Sequence, residues 1–229
     1  MLKKIRNIGD CGIICDFGDE VNKKTNKEVI KLFKFILESV KNNKIKGILN
    51  CTPSYNKLII NFDLAEVKSE AIIEFIKGND YSKIFLSEKS KLVEIPICYD
   101  EQFALDIKRL EKKTKLNFTE IVNEHLNTDF FVYMIGFVPG QPFLGDLKKN
   151  LHHDRLDTPR VKINQGSVGI VEKFFTIYTF ESPGGWNIIG KTPLNLFNVG
   201  KNESSVLSPG DSVKFISITK KNFLSFTNE

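Results

Sequence analysis

The chain has 229 residues, 41% hydrophobic and 27% charged, enough apolar material for one large core or two small ones. Its formal charge of +5 permits contact with an anionic surface, but only four basic residues are arginines (Arg6, Arg109, Arg155 and Arg160). With Lys and Glu interleaved on expected surface helices, that composition argues against a specific reader of nucleic acid. Cys11, Cys15, Cys51 and Cys98 form no C-x-x-C pair and have no His at ligand spacing, which excludes a disulfide framework and a Cys/His metal site; buried free thiols are expected, with Cys11 and Cys15 on the same strand face as Ile13 and Phe17. No run of eighteen apolar residues occurs, and the basic start Met1–Arg6 is not followed by an apolar stretch, so no membrane association and a cytoplasmic location are expected.

Residues 3–8 and Cys11–Phe17 read as the first two strands. Thr25 and Glu28 have capping-box spacing, and Val29, Phe33, Ile36, Leu37 and Val40 then recur with helical period. Ile45–Cys51 and Lys57–Phe62 read as strands joined by a turn at Pro53 and Ser54. Asp63 and Glu66 suggest a second box, opening a helix to about Lys77 with Val67, Ala71 and Phe75 inward; Gly78-Asn79-Asp80 ends it. A last strand is expected near Lys83–Leu86, then a polar linker at Ser87–Ser90. This order predicts an α+β chain: a small ferredoxin-like N-terminal domain over residues 1–88 and a second domain over 89–229.

In the second part, Leu92–Ile97 reads as a strand that Pro96 confines to an edge or end. Helices follow at Phe103–Lys113 and Phe118–Leu126, the latter started by Asn117 and Glu120 and facing inward with Phe118, Ile121, Val122 and His125. From Phe130 the pattern is β: Phe130–Ile135, Ser167–Val171, Thr176–Phe180, Trp186–Ile189, Leu194–Phe197 and Val213–Ile218, with a turn at Pro209-Gly210-Asp211 and a fraying polar tail after Lys220. Short strands with Gly/Pro turns indicate a barrel or sandwich.

Four clusters carry chemical information. Gly136-Phe137-Val138-Pro139-Gly140-Gln141-Pro142-Phe143-Leu144-Gly145 interleaves Gly, Pro and aromatics, which specifies a rigid irregular loop, either a site or a corner of the barrel. His152-His153-Asp154-Arg155-Leu156-Asp157-Thr158-Pro159-Arg160 is poorly spaced for a metal. Arg155 and Arg160 suit an acidic substrate or loop ion pairs equally. Asn164-Gln165-Gly166-Ser167 reads as a turn presenting backbone amides. Ser182-Pro183-Gly184-Gly185-Trp186 places the sole Trp at a tight turn, as a core anchor or a pocket wall. Gly190-Lys191-Thr192 lacks the preceding glycine loop and following helix of a phosphate-binding loop. His125 is either a satisfied buried histidine or a group able to act as acid, base or hydrogen-bond donor.

In order along the chain these clusters resemble the KipI/PxpB family, also known as allophanate hydrolase subunit 1 or carboxyltransferase subdomain C/D. The family pattern G-F-x-P-G-F-P-Y-L-G falls on Gly136–Gly145, P-R on Pro159-Arg160, P-A-G-S-V on Asn164–Val168, S-P-G-G-W on Ser182–Trp186, I-G-x-T-P-L on Ile189–Leu194 and P-G-D-x-V-x-F on Pro209–Phe215. Upstream it extends through Ile95–Tyr99, the Asp106 helix and His125, and back to Gly9-Asp10. Departures are Gln141 for Phe, Asn164 and Gln165 for Pro and Ala, and Phe143 for Tyr. The resemblance implies a small α/β domain before a cyclophilin-like β-barrel, and membership in an ATP-dependent 5-oxoprolinase that works with subunits A and C and converts 5-oxo-L-proline to L-glutamate. ATP is then implied for the complex, with no metal-ligand motif in this chain. It also leaves open inhibition of a sensor histidine kinase by protein contact, and a related amide or urea carboxyl-transfer role. The site residues that it implies are His125, Arg160 and Ser167, with Pro139, Gly140, Gln141, Gln165, Gly166 and Trp186 lining the pocket.

Overall fold

A computed structural model describes residues 2–84 and 91–226. The chain divides into two compact units, Met1–Ser90 and Lys91–Glu229.

The first unit contains β1 (Lys4–Ile8), β2 (Gly12–Asp16), α1 (Lys23–Lys41), β3 (Ile48–Pro53), β4 (Lys57–Phe62) and α2 (Ser69–Gly78). The strands form one antiparallel sheet in the order β1-β2-β4-β3. Its core joins Ile13, Cys15 and Phe17 with Leu58, Ile60 and Phe62 from the sheet to Val29, Leu32 and Ile36 of α1 and Ile72 and Ile76 of α2. Asn26 is fully buried and ties α1 to the β3–β4 turn, its Nδ2 donating to the carbonyls of Ser54 (2.9 Å) and Tyr55 (2.8 Å).

Both expected capping boxes are displaced. Helix α1 begins earlier because Asn22 Oδ1 accepts the Thr25 amide at 2.8 Å, so Lys23 and Lys24 join the first turn. Asp63 closes a separate turn, its carbonyl accepting the Glu66 and Val67 amides, and α2 starts only at Ser69. That delay turns Ile72 and Ile76 inward instead of Ala71, while Phe75 stacks on Phe35 at 5.6 Å. Cys11 is exposed, since β2 begins one residue after it; Cys15 and Cys51 are buried, and burial pushes both thiols up to about 12. Lys83 and Ile84 belong to a turn closed by the Ile84 amide on the Tyr81 carbonyl (3.1 Å). The rest of the expected 83–86 strand and the 87–90 linker lie outside the described residues.

The second unit is built from β5 (Leu92–Ile97), α3 (Ile107–Thr114), α4 (Phe118–Leu126), β6 (Phe130–Ile135), β7 (Pro142–Gly145), β8 (Arg160–Ile163), β9 (Ser167–Val171), β10 (Phe174–Ile177), β11 (Ser182–Gly184), β12 (Asn187–Lys191), β13 (Ser212–Ser217) and α5 (Lys220–Phe226). Seven strands run in the order β12-β9-β10-β7-β6-β13-β5, antiparallel except for the parallel β13–β5 pair. The two ends of this sheet meet through reciprocal backbone bonds between Cys98 and Lys191 (2.8 and 2.9 Å), so the mixed α+β unit holds a near-closed barrel. Gly190 makes that closure possible, because a Cβ there would lie 2.9 Å from the Cys98 carbonyl oxygen. Pro96 sits in the end strand β5, where a missing amide is tolerated.

Helix α4 carries the expected capping box, Asn117 Oδ1 accepting the Glu120 amide (3.0 Å) and Glu120 Oε2 the Asn117 amide (2.7 Å). It packs against β13 and contributes Ile121 and His125 to the core, alongside Phe130, Phe175 and Phe215. Each of those phenylalanines stabilises the fold by about 1.5–3 kcal/mol through burial.

Other elements differ from the sequence reading. The first helix of this unit starts at Ile107 because the Asp100 carbonyl draws the Phe103 and Ala104 amides into a turn. Leu194–Phe197 is not a ladder strand: Thr192 Oγ1 accepts the Leu194 amide and Asn195 Oδ1 the Phe197 amide, local bonds that compete with pairing. Strand β10 begins two residues earlier than the Thr176–Phe180 expectation. The tail after Lys220 forms α5, capped by Thr219 Oγ1 on the Asn222 amide and held by Phe223 against Phe103 (4.6 Å). The last four residues of the Gly136–Gly145 segment are strand β7, and β8 with β11 forms a separate two-stranded ribbon.

Candidate functional site

Strand β8 opens at Arg160, and the ribbon sets this residue opposite Gly184. Arg160 Nη2 donates to Asp106 Oδ1 at 2.6 Å, while Asp106 Oδ2 accepts the Ile188 amide at 2.7 Å. The Asp106 amide returns a bond to the Ile188 carbonyl at 3.0 Å. Asp106 is buried with both carboxylate oxygens engaged, so it fixes one arm of the guanidinium to barrel strand β12. The other terminal nitrogen, Nη1, is buried without a hydrogen-bond partner. A guanidinium with one arm anchored and one donor unspent is suited to a carboxylate or another oxyanion.

Two further arginines adjoin this pair. Arg109 Nη1 donates to Asn187 Oδ1 (3.1 Å), and the fully buried Asn187 donates through Nδ2 to the carbonyls of Asp154 (2.8 Å) and Ile170 (3.1 Å). Arg155 lies 6.0 Å from the ring centroid of Trp186, which meets the Phe143 ring edge-on at 5.9 Å. Trp186 is 7% exposed and belongs to a small apolar cluster with Ile163, Val171, Tyr178 and Ile188. Arg160 and Trp186 thus share the ribbon side of the barrel, joined by Asp106, Arg109, Arg155 and Asn187.

The remaining pocket candidates gather along β10 and the residues after it. Gly166 donates its amide to the Tyr178 carbonyl (2.7 Å), and the Ser167 carbonyl accepts the Tyr178 amide (2.9 Å). Thr179 Oγ1 donates to the Pro139 carbonyl (2.8 Å). Gln141 Nε2 donates to Thr176 Oγ1 (3.1 Å), which donates to the Pro142 carbonyl (2.8 Å). Gly140 takes φ +71° beside Phe197. Gln165 is exposed and donates to Asn195 Oδ1 (3.3 Å). Ser167 is buried, and among the described residues no hydrogen bond joins its hydroxyl to a base. Tyr178 links the two groups: its backbone holds Gly166 and Ser167, its ring packs in the Trp186 cluster, and burial raises its hydroxyl to about 12.

Gly166 has φ +81°, and a Cβ there would overlap the Thr192 carbonyl, whose residue already donates its own amide to the Gly166 carbonyl. Gly166→Ala is therefore expected to destabilise the fold by about 2–3 kcal/mol. A thermal melt checks this; an unchanged transition would mean that the turn relaxes without strain.

His125 stands apart from both groups. It is fully buried, with Nδ1 2.8 Å from the Tyr99 hydroxyl and its ring 5.0, 4.8 and 4.9 Å from Phe130, Phe175 and Phe215. Burial pushes the imidazole down to about 3, so it is neutral at physiological pH, and Nε2 has no polar partner. Arg160, Ser167 and Trp186 are not among its neighbours in these interactions. Asp106, Arg109, Asn187 and Tyr178 were not among the residues singled out from the sequence as site candidates. The signals for Asp106 were the place of its helix in the family resemblance and an acidic residue set between Leu105 and Ile107.

Residues 3–207 match the model of the carboxyltransferase domain, subdomain C and D. The chain belongs to this family. It is 33% identical to the 5-oxoprolinase B subunit of Bacillus subtilis, over 99% of this chain and 97% of that protein. It is 41% identical to the 5-oxoprolinase B subunit of Haemophilus influenzae, over 75% of this chain and 77% of that one. The solved structure of TTHA0988 matches with a TM-score of 0.80 and 26% identity, over 94% of this chain; this chain spans 40% of that longer one.

Within the carboxyltransferase subdomain C and D family, the departures of this chain separate by depth. Asn164 and Gln165 are exposed on the turn before Gly166, where polar side chains are readily hydrated. Gln141 is 1% exposed in the barrel wall, and its Oε1 has no hydrogen-bond partner. Among the described residues no group of three or more His, Cys, Asp and Glu is placed to hold a metal ion, and no helix is long and apolar enough to cross a membrane.

Proposed function

We propose that the chain is the B subunit of an ATP-dependent 5-oxoprolinase, converting 5-oxo-L-proline to L-glutamate together with subunits A and C. The observation that carries this reading is the near full-length likeness to the 5-oxoprolinase B subunit of Bacillus subtilis. The substrate is a five-membered lactam that bears a carboxylate. Arg160 Nη1 is the donor that receives this carboxylate, with Asp106 holding the guanidinium in place and Arg109 and Arg155 adding positive field. Trp186 supplies an apolar wall. Pro139, Gly140, Gln141, Gln165, Gly166 and Ser167 shape the loops held by β10. His125 sets the shape of the barrel from inside as a neutral group and makes no contact with substrate.

ATP is a reactant of the whole complex. Gly190-Lys191-Thr192 does not fit a phosphate cradle: it ends barrel strand β12, and the Lys191 ammonium lies 5.8 and 5.9 Å over the rings of Phe103 and Phe223. No step through the nucleotide is therefore assigned to this chain. We read the second unit as a cyclophilin-like barrel, on its near-closed sheet and short turns, and the first as a ferredoxin-like pair of layers. A cytoplasmic site of action fits a metabolic subunit of this kind.

The test is ATP-dependent release of L-glutamate from 5-oxo-L-proline by this chain mixed with its candidate A and C partners, against the same mixture without it. Release only from the complete mixture is expected. Equal release without this chain, or binding and inhibition of a sensor histidine kinase with no release from a verified assembly, would overturn the assignment.

A further inference from the structure

A recess lies on the barrel beside the hydrogen-bonded Arg160 cluster, where the carbonyl of Asp154 accepts Asn187 Nδ2. It is a cleft of about 370 Å³ lined by Lys113, His152, His153, Asp154, Glu172 and Lys173. Three segments build it: the end of α3, the stretch after the 3-10 turn Lys149–Leu151, and the tight turn between β9 and β10. The last two are fastened together, since the Glu172 amide donates to the His153 carbonyl at 2.7 Å and the Leu147 amide to the Lys173 carbonyl at 2.9 Å.

His153 decides what the cleft can bind. It is 6% exposed, and its Nδ1 lies 3.0 Å from the Asp154 carbonyl oxygen. A carbonyl only accepts, so in the neutral tautomer Nδ1 carries the proton and Nε2 is a bare lone pair. That nitrogen is buried and has no partner within the protein. An orphaned acceptor calls for a donor from outside. Asp154 and Glu172 line the same cleft and accept as well, while Lys113 and Lys173 bring two positive charges to it. A metal is not indicated, because these groups do not converge as a ligand set.

We propose that this cleft binds an α-amino acid zwitterion, its ammonium meeting His153 Nε2 and the Glu172 carboxylate, its carboxylate meeting Lys113 and Lys173. The choice of L-glutamate as that amino acid rests on the function proposed above and makes the cleft a product site that reports product level to the complex. The amino-acid class itself rests only on the lining groups.

The test is titration of the full chain, without partners, with L-glutamate, followed by NMR of the histidine ring signals and the backbone of residues 172–173. Saturable shifts are expected, with affinity weakened about tenfold or more in Glu172→Gln and in His153→Phe. Glu172 is exposed, so its variant keeps the fold even if the His153 variant does not. Glutarate, which lacks the ammonium, is expected to bind at least about tenfold more weakly. No saturable shift with L-glutamate, or equal binding of glutarate, would overturn the proposal. Because the titration needs no ATP and no other subunit, its failure is distinguishable from failure of glutamate release by the assembled complex.

Discussion

Arg160→Ala is expected to lower kcat/KM of the assembled complex for 5-oxo-L-proline by about 10- to 100-fold, through loss of one charge-assisted hydrogen bond to the substrate carboxylate, worth about 1.5–3 kcal/mol. The change should appear mainly as a raised KM, because a carboxylate that takes no part in the bond changes is bound alike in ground and transition states. Arg160→Lys keeps the charge but replaces a planar fork of two separated terminal nitrogens by one ammonium, which cannot reach Asp106 Oδ1 and the Nη1 position together, so an intermediate loss of about tenfold is expected. Removing the guanidinium also leaves the buried Asp106 Oδ1 without its partner, at a cost of about 1–3 kcal/mol in stability. A melting curve beside the kinetics separates the two effects. Full activity in Arg160→Ala with a lowered melting transition would make the residue a structural partner of Asp106 and remove it from the binding site.

The fold is expected to lose stability below neutral pH because of His125. Burial lowers its pKa from about 6.5 in the unfolded chain to about 3 in the folded protein. The unfolded chain therefore takes up a proton below pH 6.5 that the folded one refuses. The stabilising contribution is complete above about pH 6.5 and is lost as pH falls, at about 1.4 kcal/mol per pH unit, levelling off near pH 3. At pH 5 the loss is about 2 kcal/mol. His125→Leu alone would strand the buried Tyr99 hydroxyl, which pairs with Nδ1, at about 1–3 kcal/mol. The double variant Tyr99→Phe, His125→Leu removes both polar partners and is expected to fold at pH 8 with near wild-type stability and a flatter acid profile. Denaturant unfolding from pH 8 to pH 4 measures it. Parallel pH profiles for wild type and double variant would show that His125 is hydrated in the folded state.

The sequence by itself determined the elements whose signals are local. Helix α4 has its boundaries set by Asn117 and Glu120, whose side chains and amides satisfy one another within four residues. Strands β4, β5, β6 and β9 follow from short apolar runs bounded by turn residues, and Pro96 marked β5 as an end strand. The order of the glycine- and proline-rich motifs, with Arg160 among them, was equally legible, because those residues fix backbone shape wherever they stand.

Tertiary structure alone decided which of several local options prevailed. Thr25 with Glu28 and Asp63 with Glu66 both satisfy the capping pattern, but Asn22 and the turn at Asp63 took precedence; α1 kept Val29 and Ile36 inward, while α2 buried Ile72 and Ile76 in place of Ala71. Leu194–Phe197 has strand composition, yet Thr192 and Asn195 bonded its amides first. The site was divided for the same reason. His125 and Arg160 look alike in a sequence, as polar residues near apolar ones. Packing sent His125 into an aromatic interior that keeps it neutral, and Asp106, far away in the chain, anchored Arg160 with one nitrogen left to give. Partners distant in sequence leave no periodic trace, so only the closed barrel could show them.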